Sequence, residues 1–191
     1  IYLAGGCTAV NSNGYCTSIA TDTQLASINA DGSLDVWDDV PNVSDARVGH
    51  NVVAWQNYIY EIGGCSQGTS GGSCGTSLDS INYGAINQDG DVSMIGSSVS
   101  NGTSPCSGGS PINCNLPPAG QNNGQIGQML NATAIINGYI YIAGGCTSTN
   151  CQSASDNTAY AAIDGDGTLG APANCSADGN TLVGTWCVDN Q

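Results

Sequence analysis

Two side chains in this chain could do acid–base or anion chemistry, and they lie three residues apart. Arg47 is the only Arg or Lys, and His50 is the only His, among 191 residues. An arginine can hold a carboxylate and a histidine can move protons, but a histidine without an orienting partner is rarely a catalyst. We therefore expect Arg47 and His50 to pack in the interior, bonded to backbone carbonyl oxygens. We assign no catalytic residue and predict that the chain is not an enzyme.

Acidic side chains raise the question of a calcium site. The stretch INADGSLDVWDD at 28–39 places oxygen ligands at some spacings of a calcium-binding loop. The bidentate glutamate of such a loop is missing, and Asp-Gly between β-prone runs is typical of a hairpin turn. We interpret these stretches as turns, with weak surface calcium binding as the alternative, and predict no other cofactor or metal. The calcium candidates are Asn29, Asp31, Asp35, Asp38, Asp164 and Asp166.

Ten cysteines indicate an oxidising compartment. A structural zinc site is not predicted, because there is no Cys-x-x-Cys pair and only one His. Nearby cysteines suggest local disulfides, and two of these share a spacing of nine residues, although so many cysteines allow other connectivities. The predicted pairs are Cys7–Cys16, Cys65–Cys74, Cys106–Cys114, Cys146–Cys151 and Cys175–Cys187.

The chain also contains sequons of the Asn-x-Ser/Thr type, at Asn42, Asn101, Asn131 and Asn174. They fit an exported and glycosylated surface, but short sequons also arise by chance in a chain rich in Asn, Ser and Thr. Both interpretations stay open.

The charge balance excludes two classes of partner. A net charge of −14 repels phosphate backbones and anionic lipid headgroups, so we predict neither a nucleic-acid partner nor direct membrane insertion. Because 40% of the residues are hydrophobic and only 8% are charged, the composition is that of a folded chain. No apolar run approaches the length of a membrane span. The first residues resemble the middle of a strand, and we interpret the chain as a segment of a longer precursor.

One phrase occurs three times: IYLAGGC at 1–7, IYEIGGC at 59–65 and IYIAGGC at 140–146. Each copy is followed by a polar loop and then by a β-prone run that contains Asp-Gly. Two-residue turns, Gln56-Asn57 and Asn137-Gly138, precede the second and third copies, and Asn-Gly between apolar runs is a strong hairpin signal. No helical period is sustained. The sequence therefore predicts an all-β domain of about three four-stranded antiparallel meanders.

We predict one domain over 1–191 with repeat units at 1–40, 46–96 and 127–172. A Gly/Ser/Asn/Pro-rich loop at 93–126 is inserted and is expected on one face of the domain, and 173–191 is a terminal strand region. The first unit lacks its first strand, and NTLVGTW in the terminal region supplies a strand with no partner in its own unit. This spare strand predicts self-association or contacts with the rest of a longer precursor, with closure within the chain as the alternative.

The stretch DARVGHNVVAWQNYIYEIGG at 45–64 resembles a kelch repeat, with an Arg, a His three residues later, an apolar run, a turn, Ile-Tyr and a double Gly. Together with INADGSLDVW at 28–37, it is similar to kelch-like repeats of large bacterial surface proteins, some of which carry pilin-type anchors. The third unit has Gln128 and Asn131 where the second has Arg47 and His50. The resemblance implies a β-propeller, whose members mostly bind partners while some catalyse.

Enzymes on such scaffolds need residues that this chain lacks. A copper radical oxidase needs two His ligands, and a sialidase needs several Arg. Three function classes remain. We favour an extracellular structural or adhesive module of a cell-surface appendage, filament or surface layer that contacts protein or glycan. A glycan-binding lectin is the first alternative, although most aromatic residues lie in strand patterns that favour packing over sugar binding. Part of an enzyme with its catalytic residues elsewhere is the second.

Overall fold

The computed structural model describes residues 1–14, 16–41, 46–66, 76–97, 115–117, 129–148, 151–177 and 179–189. Within these ranges every regular element is a β-strand and every strand pair is antiparallel, which confirms the predicted all-β class. The strands form three sheets and one separate hairpin. None of the described segments is a helix that could cross a membrane.

The first sheet has three strands in the order β1-β4-β5, and the hairpin β2-β3 leaves it between β1 and β4. The disulfide Cys7–Cys16 closes this hairpin. Within this sheet β1 pairs with β4 alone and is therefore an edge strand. The elements are β1 (Tyr2–Ala4), β2 (Cys7–Val10), β3 (Cys16–Ile19), β4 (Thr23–Leu25) and β5 (Asp38–Val40).

The second sheet is a four-stranded meander in the order β6-β7-β8-β9. Trp55 lies opposite Tyr58, and Gln56 has a φ of 52°, so the predicted two-residue turn at Gln56-Asn57 is confirmed. The elements are β6 (Asn51–Trp55), β7 (Tyr58–Ile62), β8 (Ile81–Ile86) and β9 (Val92–Ser97). Because β9 extends to Ser97, the inserted segment begins later than the predicted residue 93.

The third sheet has the order β10-β11-β12-β15-β14, and β13 pairs with the far end of β12. Its Asn137-Gly138 turn is also confirmed, since Ile136 lies opposite Tyr139 and both turn residues have positive φ. The elements are β10 (Ala132–Ile136), β11 (Tyr139–Ala143), β12 (Thr158–Ile163), β13 (Leu169–Gly170), β14 (Thr181–Val183) and β15 (Trp186–Val188).

The terminal region differs from its prediction. Instead of one spare strand at 180–186, it forms the hairpin β14-β15, and β15 pairs with β12 of its own unit. Trp186 is fully buried in the core, and the disulfide Cys175–Cys187 ties the hairpin to the preceding loop. The prediction of an unpartnered strand is therefore wrong. The segment pairs with β12 of its own chain because this pairing buries Trp186 against the third sheet.

The second sheet is the middle layer of a stack of three. Successive residues of a strand point to opposite faces, so Ile59 and Tyr60 of β7 face opposite ways. Ile59 packs with Ala4 of the first sheet, whereas Tyr60 packs with Ile140 of the third sheet. We refer to the contact between the first and second sheets as the first interface, and to that between the second and third sheets as the second interface.

The predicted inserted loop also contributes to the core. Leu116 is fully buried among residues of the second interface, and its backbone N–H donates to the Asp79 carbonyl oxygen at 2.7 Å. An apolar anchor was not expected in a segment without apolar periodicity. Residues 98–114 and 118–126 of this stretch, which include Cys106 and Cys114, lie outside the described residues.

Three of the predicted disulfides are present: Cys7–Cys16, Cys146–Cys151 and Cys175–Cys187. Cys65 is also disulfide-bonded. Cys74, Cys106 and Cys114 lie outside the described ranges. Because disulfides persist in oxidising environments, the three pairs indicate such an environment for this chain.

Candidate functional site

Arg47 is fully buried beside Glu61, which is 1% exposed. Its guanidinium donates to the carbonyl oxygens of Gly63 at 2.9 Å and Ser80 at 3.3 Å, and its Nε lies 3.9 Å from Glu61 Oε2. The Glu61 carboxylate also accepts a hydrogen bond at Oε2 from Asn82 Nδ2, at 3.4 Å. Arg47 therefore binds backbone carbonyls in the interior, as predicted from the sequence.

His50 packs against the double glycines of two units. Its ring lies 3.2 Å from where a Cβ would stand on Gly5, and its own Cβ lies 2.7 Å from the equivalent point on Gly64. Burial, and then the positive charge of Arg47, lower the pKa of His50 to about 4, against a smaller opposing contribution from the Ala4 carbonyl. His50 is therefore neutral at pH 7 and fills space between the first and second sheets. Its ring nitrogens are buried and make no hydrogen bond of normal geometry, so the predicted bond to a backbone carbonyl oxygen is not found.

The Asp-Gly stretches form three turns with the same hydrogen bonds. Gly32 N–H donates to Asn29, Gly90 N–H to Asn87 and Gly167 N–H to Asp164, at 2.9–3.0 Å. All three glycines have a φ between 81° and 92°, where a glycine is strongly favoured. The hairpin interpretation of these stretches is therefore confirmed.

The calcium candidates take part in these turns. Asp31 Oδ1 accepts from the backbone N–H and hydroxyl of Ser33, and Asp166 accepts in the same way from Thr168. These hydrogen bonds lower the pKa of both carboxyl groups. Asn29 donates to Asp35 at 3.3 Å, and Asp38 lies in β5. In the part of the chain that the structure describes, no three His, Cys, Asp or Glu side chains group closely enough to hold a metal ion.

Two of the four sequons lie within the described residues. Asn131 is 6% exposed, and its side-chain oxygen accepts hydrogen bonds from Asn51 and Thr133. The structure therefore does not favour a glycan at Asn131. Asn174 is exposed, as a glycan attachment site must be. Asn42 and Asn101 lie outside the described ranges.

A tyrosine hydroxyl crosses each interface to the Asp-Gly turn of the next sheet. Tyr2 donates to the Gly90 carbonyl oxygen at 2.7 Å, and Tyr60 donates to the Gly167 carbonyl oxygen at 2.8 Å. Both tyrosines occupy the second position of the repeated Ile-Tyr-x-x-Gly-Gly-Cys phrase. Burial raises the pKa of both hydroxyls, which keeps them protonated donors.

These contacts are close enough to require glycine in the turn. A Cβ on Gly90 would lie 2.7 Å from Leu25, and a Cβ on Gly167 would lie 2.4 Å from Tyr58. The repeat thus positions a tyrosine on one sheet and a glycine turn on the next as matching halves of one contact.

The outward side of the third sheet carries the equivalent tyrosines, and none of the sheets formed by the described residues covers them. Tyr141 and Tyr160 stack with ring centroids 5.5 Å apart, and Tyr139 meets Tyr160 edge-on at 6.1 Å. We name Tyr139, Tyr141 and Tyr160 the tyrosine face. Together with Pro172, Ala173 and Asn174 these rings line a cleft of about 260 Å³.

Sequence reasoning placed the aromatic residues in packing roles, and it identified only part of them correctly. Tyr60 and Tyr83 are buried in the second interface, but the tyrosine face is half-exposed, and Trp37 is 38% exposed. The repeat shows that the tyrosines of the third unit are equivalent to those of the second, but it does not show which of them another sheet covers.

No protein-family model matches the chain, and no curated protein is significantly similar to it in sequence.

Proposed function

We propose that the chain is a non-enzymatic extracellular module with a structural or adhesive role in a cell-surface appendage, filament or surface layer. In this proposal its three sheets are kelch-like propeller blades that contact protein or glycan on a surface. The observation that supports it most directly is the repeated tyrosine-to-turn contact, which stacks similar sheets in one direction. Repeat architectures of this kind expose extended surfaces suited to binding rather than a single reactive pocket.

Three further observations fit a module that works outside the cytosol without catalysis. Disulfides close the β2-β3 hairpin and tie down the loops after β11 and β13. Arg47, the only side chain with a permanent positive charge, is buried in the first interface. His50, the only histidine, is held neutral in the same interface.

Immunogold electron microscopy of intact producing cells tests the location. We expect antibodies against the chain to label appendages or the cell surface without permeabilisation. Adhesion is tested with beads coated with the oxidised chain, which should bind to those cells, whereas beads coated with reduced and alkylated chain should not. Gold that appears only after permeabilisation contradicts the proposal.

A glycan-binding role is the second candidate, and the tyrosine face favours it. Stacked tyrosine rings beside the polar side chain of Asn174 are the kind of surface on which a sugar ring packs. A glycan array probed with the wild type and with Tyr160→Ala tests this role. Binding of one glycan class that is lost in the variant supports it, and no binding to any glycan contradicts it.

A further inference from the structure

The repeated phrase allows equivalent positions of the three sheets to be compared directly. Its first residue is Ile1, Ile59 or Ile140. Ile59 and Ile140 are 1% and 0% exposed because each is covered by the sheet that precedes it in the stack, whereas Ile1 is 50% exposed. The first sheet therefore presents, uncovered, the surface that the other two sheets bury.

The residues that flank the Asp-Gly turn show the same difference. Val92 and Leu169 are fully buried in the two interfaces, but their equivalent Leu34 is 43% exposed. Ile28, which precedes this turn, is 61% exposed, and Leu3 of β1 is 53% exposed. Ile1 and Leu3 alternate to the same side of the chain at β1. Ile28 lies opposite Leu34, and the equivalent pair Ile86 and Val92 packs in the first interface. We therefore name Ile1, Leu3, Ile28 and Leu34 the outer face of the first sheet.

The turn itself is uncovered as well. A Cβ on Gly90 or Gly167 would strike a side chain of the preceding sheet, but a Cβ on Gly32 would meet no atom within 4 Å. Gly32 has the same positive φ and the same turn hydrogen bond as the other two glycines. The first sheet thus offers a turn of the shape that a tyrosine hydroxyl binds elsewhere in the molecule.

The third sheet carries the tyrosine half of this contact. Tyr139, Tyr141 and Tyr160 are the equivalents of Tyr58, Tyr60 and Tyr83, which the third sheet covers in the second interface. Ile136 lies opposite Tyr139 on the same side of the sheet and is 55% exposed. Its equivalent in the second sheet is Trp55, which packs into the second interface.

We propose that the tyrosine face of one copy docks onto the outer face of the first sheet of a second copy, so that Tyr141 donates its hydroxyl to the Gly32 carbonyl oxygen. The inference rests on the proposed structural role and deepens it by naming the partner, a second copy of this chain. Protein rather than sugar is the occupant because the equivalent tyrosines inside the chain are covered by a sheet. Since the two surfaces differ, the contact is head-to-tail and generates a ring or a filament.

The charge of the chain gives this contact a recognisable salt dependence. Each copy carries a net charge of −14, so copies repel each other at low ionic strength. The docking surfaces expose large apolar side chains, although Gln24 and Asp39 lie beside Leu3 on the same side of the first sheet. Screening removes the repulsion and leaves the apolar contact. Self-association is therefore expected to strengthen as salt is raised, which is the reverse of an association driven by opposite charges.

Sedimentation velocity of the oxidised 191-residue chain, from about 1 µM to about 1 mM, tests the proposal. The mass should rise above the 19.1 kDa of one chain as concentration and salt increase. Leu3→Asp and Ile136→Asp each place a charge in one half of the contact, and each should weaken association about 100-fold. Tyr141→Phe, which removes only the hydroxyl, should weaken it about fivefold.

Val10→Asp is the matched control, because Val10 is 62% exposed on the separate β2-β3 hairpin and belongs to neither docking surface. It should associate like the wild type. The decisive experiment mixes Leu3→Asp with Ile136→Asp. Leu3→Asp keeps an intact tyrosine face, and Ile136→Asp keeps an intact outer face of the first sheet. The mixture should therefore form a species of twice the monomer mass and no larger. Circular dichroism of every variant verifies that it is folded.

Several results overturn the proposal. If the wild type stays monomeric at the highest concentration, the proposal is wrong. It is also wrong if Val10→Asp loses as much association as Leu3→Asp. A mixture that remains monomeric also overturns it, since it rules out a head-to-tail contact. These outcomes are separate from the tests of the proposed function, because surface labelling and bead adhesion do not require copies to associate.

Discussion

The two interfaces use the same tyrosine-to-turn contact, but they fill the space around it differently. In the second interface Ile142 and Ala159 of the third sheet are fully buried among apolar side chains. The equivalent positions of the second sheet are Glu61 and Asn82, which face the first interface together with the buried Arg47. Among the described residues, the apolar cluster of the second interface has twelve buried members and that of the first has three, so apolar burial stabilises the second interface far more.

This difference indicates that the hydrogen bond from a tyrosine hydroxyl to a turn carbonyl defines how the sheets stack, whereas the buried side chains around it can differ. A buried ion pair is costly to desolvate, and it contributes little net stability compared with apolar residues of similar volume. The first sheet is therefore expected to be the less stable layer and the one whose packing responds to pH. The following four predictions address this contrast.

Removing the cation of the first interface should have the largest effect. Arg47→Met leaves the carboxylate of Glu61 buried without its partner, and should lower the free energy of unfolding by about 4 kcal/mol. The double variant Arg47→Met/Glu61→Ile gives the first interface the apolar character of the second, and should unfold within about 1 kcal/mol of wild type. Urea unfolding of the oxidised protein, followed by tryptophan fluorescence, measures both. A double variant as unstable as the single one contradicts the comparison.

Three equivalent isoleucines compare the two interfaces with an uncovered surface. Ile140→Ala, in the large cluster, should cost about 3–4 kcal/mol, and Ile59→Ala, in the small one, about 2 kcal/mol. Ile1→Ala should cost less than about 0.5 kcal/mol because half of this side chain is already exposed. The same urea titrations provide the measurement, at a protein concentration where the chain is monomeric. Equal losses at all three positions would count against the difference in burial.

The first interface should also be sensitive to acid. Because the pKa of His50 is about 4 in the folded chain and about 6.5 when unfolded, the unfolded chain binds more protons between these values. Stability from this residue is complete above pH 6.5 and is lost as the pH falls towards 4, by about 2 kcal/mol at pH 5. Thermal unfolding between pH 7.5 and 4.5 measures the loss. In His50→Gln this part of the pH dependence should disappear, and an unchanged slope argues against His50 as its source.

The shared tyrosine contact should give the smallest effect. Tyr60→Phe and Tyr2→Phe each remove one hydrogen bond to a turn carbonyl and should cost about 1 kcal/mol, with Tyr2 the lower because it is only half-buried. Tyr141→Phe in monomeric protein should cost nothing measurable. Differential scanning calorimetry resolves these steps, since 1 kcal/mol shifts the Tm of a domain of this size by about 2–4 °C. A larger loss for Tyr141→Phe than for Tyr60→Phe would contradict the assignment.

The features that follow from local sequence were predictable. Asn137-Gly138 and the Asp-Gly turns have backbone requirements that glycine and asparagine satisfy on their own, so the hairpins could be identified before the structure. The local disulfides followed from spacing, and the interior role of Arg47 followed from the lack of catalytic partners for it.

The features that depend on distant contacts were not predictable in this way. The terminal hairpin joins β12 because Trp186 fills the core of the second interface, and nothing in its own stretch specifies that neighbour. Leu116 is a single apolar residue within a polar stretch, too isolated to give a periodic signal. The tyrosine face required knowledge of which sheet covers which, and the repeat alone does not provide the order of the stack.

The burial of Arg47 has a consequence for how long the chain survives among secreted proteases. Trypsin-like enzymes cut after Arg or Lys, and the sequence offers them one bond, between Arg47 and Val48. That arginine is fully buried, and the backbone of Val48 is paired with Cys65, so the bond is out of reach of a protease cleft while the first and second sheets stay together. The rate of trypsin digestion therefore measures how often the first and second sheets separate at Arg47. The products would be fragments of 47 and 144 residues.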